Sequence, residues 1–224
     1  MKYKTCVSIA ENSSDKIKQN LKDALKKSDY VEIRFDFLKT DEIPKTLEII
    51  KNDLKRVVCT LRPKSEGGKF EGGEKERISI LKLIAEYNPF LLDVEFNTIK
   101  ENKELAKYLK STKTKILISW HDFKKTPKFS ELKNMMSKMT KFSHNVKIVT
   151  TAKSVDDSTR TLQLYSKNGK NNLIAFAMGD NGRVSRILCL YLGSPYTYVS
   201  LGKPVAPGQL SIDEVKKIIS LKIG

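Results

Sequence analysis

The feature that most constrains this chain is an eightfold alternation of two hydrophobic periods. Short β-branched or apolar runs lie at Lys4–Ser8, Tyr30–Phe37, Arg56–Leu61, Phe90–Phe96, Lys115–Trp120, Asn145–Thr150, Leu173–Met178 and Thr197–Leu201. Between them the spacing becomes helical. Ile17, Leu21, Ala24 and Leu25 fall at i, i+4, i+7, i+8, and Leu132, Met135, Met136 and Met139 at i, i+3, i+4, i+7. Each set makes one apolar helix face. Thr98–Glu101, Ser154–Asp157 and Ser211–Glu214 have the spacing of helix-start capping motifs. Strands that alternate with helices imply a parallel sheet. The 224 residues shared among eight units give 28 each, compact but sufficient for a (β/α)8 TIM barrel, whose usual size is about 250. The rival is an open doubly wound sheet. It lacks its main signals, because no G-x-G-x-x-G follows the first run and no Walker A sequence occurs. No Pro/Gly/Ser-rich linker divides the chain, so a single domain over 1–224 is expected.

Composition matters chiefly for what it excludes. Lys and Arg number 42 against 26 Asp and Glu, a formal net charge of +16. Such a balance invites a nucleic-acid reading. Only seven of the cations are arginine, however, and the lysines are strewn along the whole chain. Nucleic-acid modules concentrate cations on one face, favour Arg forks and interleave aromatics, so a lysine-rich solvated surface is the expectation here. No apolar run reaches the 18 or so residues of a membrane span, and the N-terminus has the pattern of neither a signal peptide nor an anchor. Cys6, Cys59 and Cys189 are far apart and sit among apolar residues. That usage predicts free thiols and a cytoplasmic location. No Cys/His pair has zinc-ligand spacing.

Barrel strands are covered outside and packed inside, so polar residues within them are informative. In the second run Glu32, Arg34 and Asp36 alternate with Val31, Ile33, Phe35 and Phe37. Period two puts the charged triplet on one face, inside the barrel, where it is expensive unless paired or used. A satisfied internal salt-bridge network is one reading and a functional site the other. Arg62 closes the third run, Asp93 and Glu95 share a face of the fourth, and His121 ends the fifth. Lys147 interrupts Val146-Lys147-Ile148-Val149, and Arg186 follows the seventh run. Most of these lie near strand C-termini, where barrel active sites are built. Such a cluster suits an anionic, oxygen-rich small ligand. A lysine buried there, near arginines, is expected to have its charged form disfavoured, which frees an amine for attack on a carbonyl. The alternative is a lysine paired with Asp93 or Glu95. His121 suits proton transfer, whereas His144 lies in a polar loop and is expected to be exposed. Arg62–Gly68 is a glycine-rich loop able to carry Glu66 over a site, and Pro204–Gln209 suits a lid with Gln209 as donor.

Together these stretches resemble the type I 3-dehydroquinate dehydratases. The matching segments are Glu32-Ile-Arg34-Phe-Asp36, Thr60-Leu-Arg62 with Glu66-Gly-Gly68, Ser119-Trp-His121, Val146-Lys147-Ile148, Met178 with Val184-Ser-Arg186, and Ala206-Pro-Gly-Gln209. They run through strands two to eight in the family's order. The resemblance implies a stand-alone, homodimeric barrel that dehydrates 3-dehydroquinate without metal or organic cofactor. It implies that Lys147 forms an imine, that His121 moves the protons and that Glu66 orients His121. It implies that Arg186 binds the substrate carboxylate, that Ser8, Glu32, Arg34, Arg62 and Gln209 contact substrate or shape the pocket, and that Met178 is an apolar wall. Asp36 is implied to hold Arg34 or Arg62. Two positions depart: Val205 stands where Ser or Thr is common, and Tyr198 where many members have Phe. A class I aldolase or transaldolase is the enzymatic alternative, and the second-run Glu-Arg-Asp pattern and the Ala-Pro-Gly-Gln lid speak against it. A basic nucleic-acid-binding protein is the alternative of another class.

Overall fold

The computed structural model describes residues 3–221. Eight parallel strands follow one another in the order β7-β6-β5-β4-β3-β2-β1-β8: β1 (Thr5–Ile9), β2 (Tyr30–Arg34), β3 (Val57–Thr60), β4 (Leu91–Glu95), β5 (Ile116–His121), β6 (Asn145–Thr151), β7 (Asn172–Met178) and β8 (Thr197–Val199). The helices between them are α1 (Ser14–Lys27), α2 (Glu42–Ile50), α3 (Glu74–Glu86), α4 (Phe96–Glu101), α5 (Lys103–Ser111), α6 (Phe129–Met139), α7 (Val155–Leu162), α8 (Ser185–Tyr191) and α9 (Ile212–Ser220). The sheet wraps into a nearly closed TIM barrel. β8 pairs with β1, but among the described residues β7 and β8 share no ladder. The seam between them is bridged by side chains, with the Phe176 and Tyr198 ring centroids 6.4 Å apart.

Period two sorts each strand into two cores. Val7, Ile33, Cys59, Val94, Ile118, Ile148 and Ala175 pack outward against the helices. Cys6, Val58, Leu91, Leu117, Ile174 and Tyr196 fill the barrel. Its aromatic floor includes Tyr30 stacked on Phe90 at 4.2 Å. With the floor apolar, the polar inward residues have one place to gather, the C-terminal mouth. The helices follow the expected faces: Ile17, Leu21 and Ala24 of α1 are buried, as are Leu132, Met136 and Met139 of α6.

Three expectations are corrected. The second strand stops at Arg34, and Phe35–Phe37 form a 3-10 turn, so Asp36 is not on the strand face with Glu32 and Arg34. It is nonetheless buried and accepts both Arg34 Nε (2.8 Å) and the Arg34 terminal nitrogen (2.6 Å). The eighth strand ends at Val199 rather than Leu201. Thr98 caps nothing. It lies inside α4, where its hydroxyl accepts from Arg77, and the next helix is capped by Asn102, which accepts from Leu105 N at 2.7 Å. Ser154 does cap α7, and Ser211 with Glu214 forms a full capping box on α9.

Candidate active site

All ten residues marked by the sequence as site residues line one cavity at the C-terminal mouth: Ser8, Glu32, Arg34, Arg62, Glu66, His121, Lys147, Met178, Arg186 and Gln209. Lys147 is the inward residue between Val146 and Ile148, which face the outer core. Its Nζ lies 3.2 Å from Asp93 Oδ2 and 3.6 Å from Glu32 Oε1, and 4.3 Å from the centroid of the Tyr198 ring. The nearest charges are therefore carboxylates, not the arginines expected around it. Of the alternative partners Asp93 and Glu95, Asp93 is the one Lys147 meets.

Asp93 is the hub of the β3–β6 wall. Its Oδ2 accepts from Arg62 at 2.7 Å and its Oδ1 from Ser119 at 2.5 Å. Burial alone would push its carboxyl up, but the Arg62 guanidinium and the Lys147 ammonium outweigh that and hold it well below the usual carboxylate range. Arg62 also donates to Glu95 (2.8 Å) and Ser119 (2.6 Å). Glu95 accepts in turn from Arg77 of α3 at 2.6 Å. Arg77 interrupts no strand run and so carries no signal in the sequence. In the fold its side chain is fully buried. Asp36 holds Arg34 and not Arg62. Its Oδ2 also accepts from Lys69 N at 2.9 Å, which ties the β3–α3 loop to the end of β2.

That loop delivers Glu66. Gly67 adopts φ 74°, and a Cβ there would lie 2.4 Å from the Phe123 ring. A Cβ on Gly68 would lie 1.9 Å from the Arg62 carbonyl oxygen. Only glycine fits a turn this close to its neighbours. Glu66 Oε2 sits 3.0 Å from His121 Nδ1, and Phe123 stacks beside the imidazole with centroids 6.0 Å apart. Burial pushes the Glu66 carboxyl up to about 8. Burial, reinforced by the positive charges of Arg62 and Lys147, pushes the imidazole well below its ordinary value. Near neutral pH, His121 is therefore uncharged. With Glu66 ionised it accepts Nδ1–H, leaving Nε2 as a free base.

The β7–β8 side differs. Arg186, in the first turn of α8, is buried. It donates to the Pro207 carbonyl at 3.1 Å and lies over the Phe176 ring, Cζ 4.4 Å from the centroid. Met178 closes the apolar wall. The Pro204–Gln209 segment covers the mouth. Val205 N donates to Gln209 Oε1 (2.8 Å), and Gln209 Nε2 to Ser8 Oγ at 3.4 Å. Ser8 donates to Glu32 (2.9 Å), which also accepts from Thr60 (2.9 Å). Val205 thus supplies an apolar side chain to the cavity and a backbone donor to the lid. Phe123, Val149, Phe176 and Tyr198 also line the cavity. Phe123, Val149 and Phe176 carried no signal as site residues: the latter two sit in apolar runs without contrast, and Phe123 is an isolated aromatic in the loop after β5. His144 is exposed, with Nδ1 3.1 Å from Asn171 Oδ1. Among the described residues no cluster of three or more His, Cys, Asp or Glu is arranged to hold a metal ion, and no helix is long and apolar enough to cross a membrane.

Comparison with known proteins gives a consistent set. The family model described as type I 3-dehydroquinase matches residues 5–223. A 3-dehydroquinate dehydratase of Methanococcus maripaludis is 38% identical over 220 residues, covering 95% of this chain and 96% of the relative. A crystal structure of the 3-dehydroquinate dehydratase of Geobacillus kaustophilus superposes with a TM-score of 0.90 at 22% identity, covering 99% of this chain and 91% of that one. The type I 3-dehydroquinate dehydratase of Clostridium difficile, crystallised with covalently modified comenic acid, superposes with a TM-score of 0.85 at 26% identity, covering 98% and 91%.

Proposed function

Because the chain belongs to the type I 3-dehydroquinase family, we propose that it dehydrates 3-dehydroquinate to 3-dehydroshikimate by syn elimination through an imine on Lys147, the third step of the shikimate pathway. The observation that carries this reading is a lysine and a histidine opening into one buried cavity from the adjacent strands β6 and β5. The covalently modified ligand of the Clostridium difficile relative adds support.

The Lys147 ammonium first gives a proton to His121, the freed amine attacks the C3 ketone, and the carbinolamine oxygen leaves as water with the proton that His121 returns, giving an iminium. That group is an electron sink and acidifies the neighbouring C2–H. His121, uncharged and oriented by Glu66, removes the C2 proton to give an enamine. The enamine electrons then form the C1–C2 double bond as the C1 hydroxyl departs with the proton from His121, as water. Hydrolysis of the conjugated imine restores Lys147 and releases the enone. The imine performs the electron withdrawal, so the cycle as written needs neither metal nor organic cofactor. Asp93 and Glu32 fix Lys147 Nζ in place. Arg186 takes the substrate carboxylate, and Glu32, Arg34, Arg62, Gln209 and Ser8 hold or shape the hydroxyl side against the Met178 wall.

The barrel is proposed to be the whole catalytic domain, to pair as a homodimer by family likeness, and to work in the cytoplasm without a nucleic-acid partner. The three buried free thiols suit a reducing compartment. The test is direct: 3-dehydroquinate is added to the protein and the ultraviolet absorbance of the conjugated enone is followed. A rise in proportion to enzyme is expected. A folded protein that leaves the absorbance flat would overturn the assignment.

A further inference from the structure

Four arginines with little or no exposed side chain surround the site, and three are matched to carboxylates. Arg34 is paired with Asp36, Arg62 with Asp93 and Glu95, and Arg77 with Glu74 and Glu95. Among the described residues Arg186 has no carboxylate within salt-bridge distance, and its Nε has no hydrogen-bond partner. Its one side-chain bond goes to the Pro207 carbonyl. Yet it is 2% exposed, and burial brings its pKa down to about 10. An isolated buried cation is costly unless something answers its charge.

The group placed to do so is Phe176. It occupies an inward position of β7, is buried, and presents its ring face to the guanidinium at 4.4 Å. Tyr198 lies beside the ring across the β7–β8 seam, its centroid 6.4 Å away and its plane tilted by 58°. A guanidinium is planar, weakly hydrated and suited to stacking on an aromatic face. Two ways of holding it have opposite consequences. A carboxylate would take the in-plane N–H groups and compete with an incoming anion. A ring face attracts the cation from above and takes none of those donors.

We propose that Phe176 is a positioning residue for ligand binding, whose ring face holds the Arg186 guanidinium in the cavity wall and keeps its Nε edge free for the carboxylate of the substrate. The inference rests on the reading that Arg186 receives that carboxylate. An aliphatic side chain at 176 would fill similar space without the ring's negative face, leaving the guanidinium to follow the Pro207 carbonyl or solvent.

The test uses the full chain and steady-state kinetics on 3-dehydroquinate. Phe176→Leu and Phe176→Met should raise KM roughly 5- to 30-fold, the loss of one desolvated cation–π contact, with kcat within about twofold. Phe176→Tyr keeps the ring face and should stay near wild type. In an Arg186→Gln background the same Leu and Met changes should raise KM no further. If Phe176→Leu does not fold, Phe176→Met decides, since its volume and flexibility suit a core site. A raised KM in Arg186→Gln together with wild-type KM in both Phe176 variants would overturn the inference and leave the carboxylate reading standing. So would an equal KM loss with and without Arg186, which would make Phe176 a wall and nothing more. An unchanged KM in Arg186→Gln would remove the carboxylate reading, and this inference with it.

Discussion

Arg62 and Arg186 lie equally deep, 3% and 2% exposed, on opposite walls of one cavity. Their surroundings are opposite. Arg62 is charge-matched: Asp93, Glu95 and Ser119 accept from its two terminal nitrogens. Arg186 has one carbonyl and an aromatic face. The β3–β6 wall is a closed ion network, running from Arg77 through Glu95, Arg62 and Asp93 to Lys147. Such a network fixes positions, because every charge in it is answered within the fold. The β7–β8 side leaves a cation without a carboxylate partner, and a buried cation held by a ring face and one carbonyl is what an anionic ligand completes. Under the proposed mechanism one wall holds the reacting groups still, and the other selects what is brought to them.

The largest expected break in this division is His121→Ala. Turnover should fall by roughly 10²–10⁴-fold, the usual worth of a positioned acid–base group, while a covalent adduct still forms on Lys147. Steady-state rates set beside adduct trapping check this, and wild-type turnover would remove His121 from the mechanism.

The next comparison sets the two arginines directly against each other. Arg62→Met leaves Asp93 and Glu95 each short of a buried partner and should cost about 3–5 kcal/mol of stability. Arg186→Gln strands no carboxylate and should change stability by less than about 1 kcal/mol, while KM rises about 10- to 100-fold for the lost charge-assisted bonds. Urea midpoints and KM values measured on both proteins decide it. Equal destabilisation would erase the distinction between the walls.

Glu66→Gln should have the smallest effect, about tenfold on kcat at the optimum, by loosening the orientation of His121. Its signature is in pH. The wild-type pair yields a free imidazole base only once Glu66 ionises, so kcat/KM should carry an acid limb near 8, which the variant lacks. Stability shifts in the matching sense. The folded carboxyl keeps its proton up to about 8, whereas the unfolded one loses it near 4.5. Between those values the folded state binds the extra proton, so wild-type stability falls as pH rises through that window. In Glu66→Gln that part of the fall should be absent from urea midpoints taken between pH 5 and 9.

Much of this was legible from charge placed against pattern. Lys147, Glu32 and Asp93 stood out because each interrupts a run that is otherwise apolar, and Arg62 because it closes one. The unreadable parts share a different cause. Asp36 looked like the third residue of a strand face, because a 3-10 turn keeps a charged residue between two phenylalanines just as a strand would. Arg77 carried no signal, since its burial depends on Glu95, eighteen positions away. Phe123 and Phe176 were invisible because their work depends on what lies over the ring. The missing β7–β8 ladder could not be read at all, since a strand reads the same whether or not its neighbour pairs with it.

Lys147, alone among 35 lysines, is proposed to form the covalent bond to substrate. Borohydride added with 3-dehydroquinate should reduce the imine to a stable secondary amine, inactivate the protein and add the substrate mass to the peptide that carries Lys147. The Lys147→Ala protein, checked for folding, should acquire no adduct. An adduct mapped to another lysine, or one formed equally in Lys147→Ala, would contradict the account.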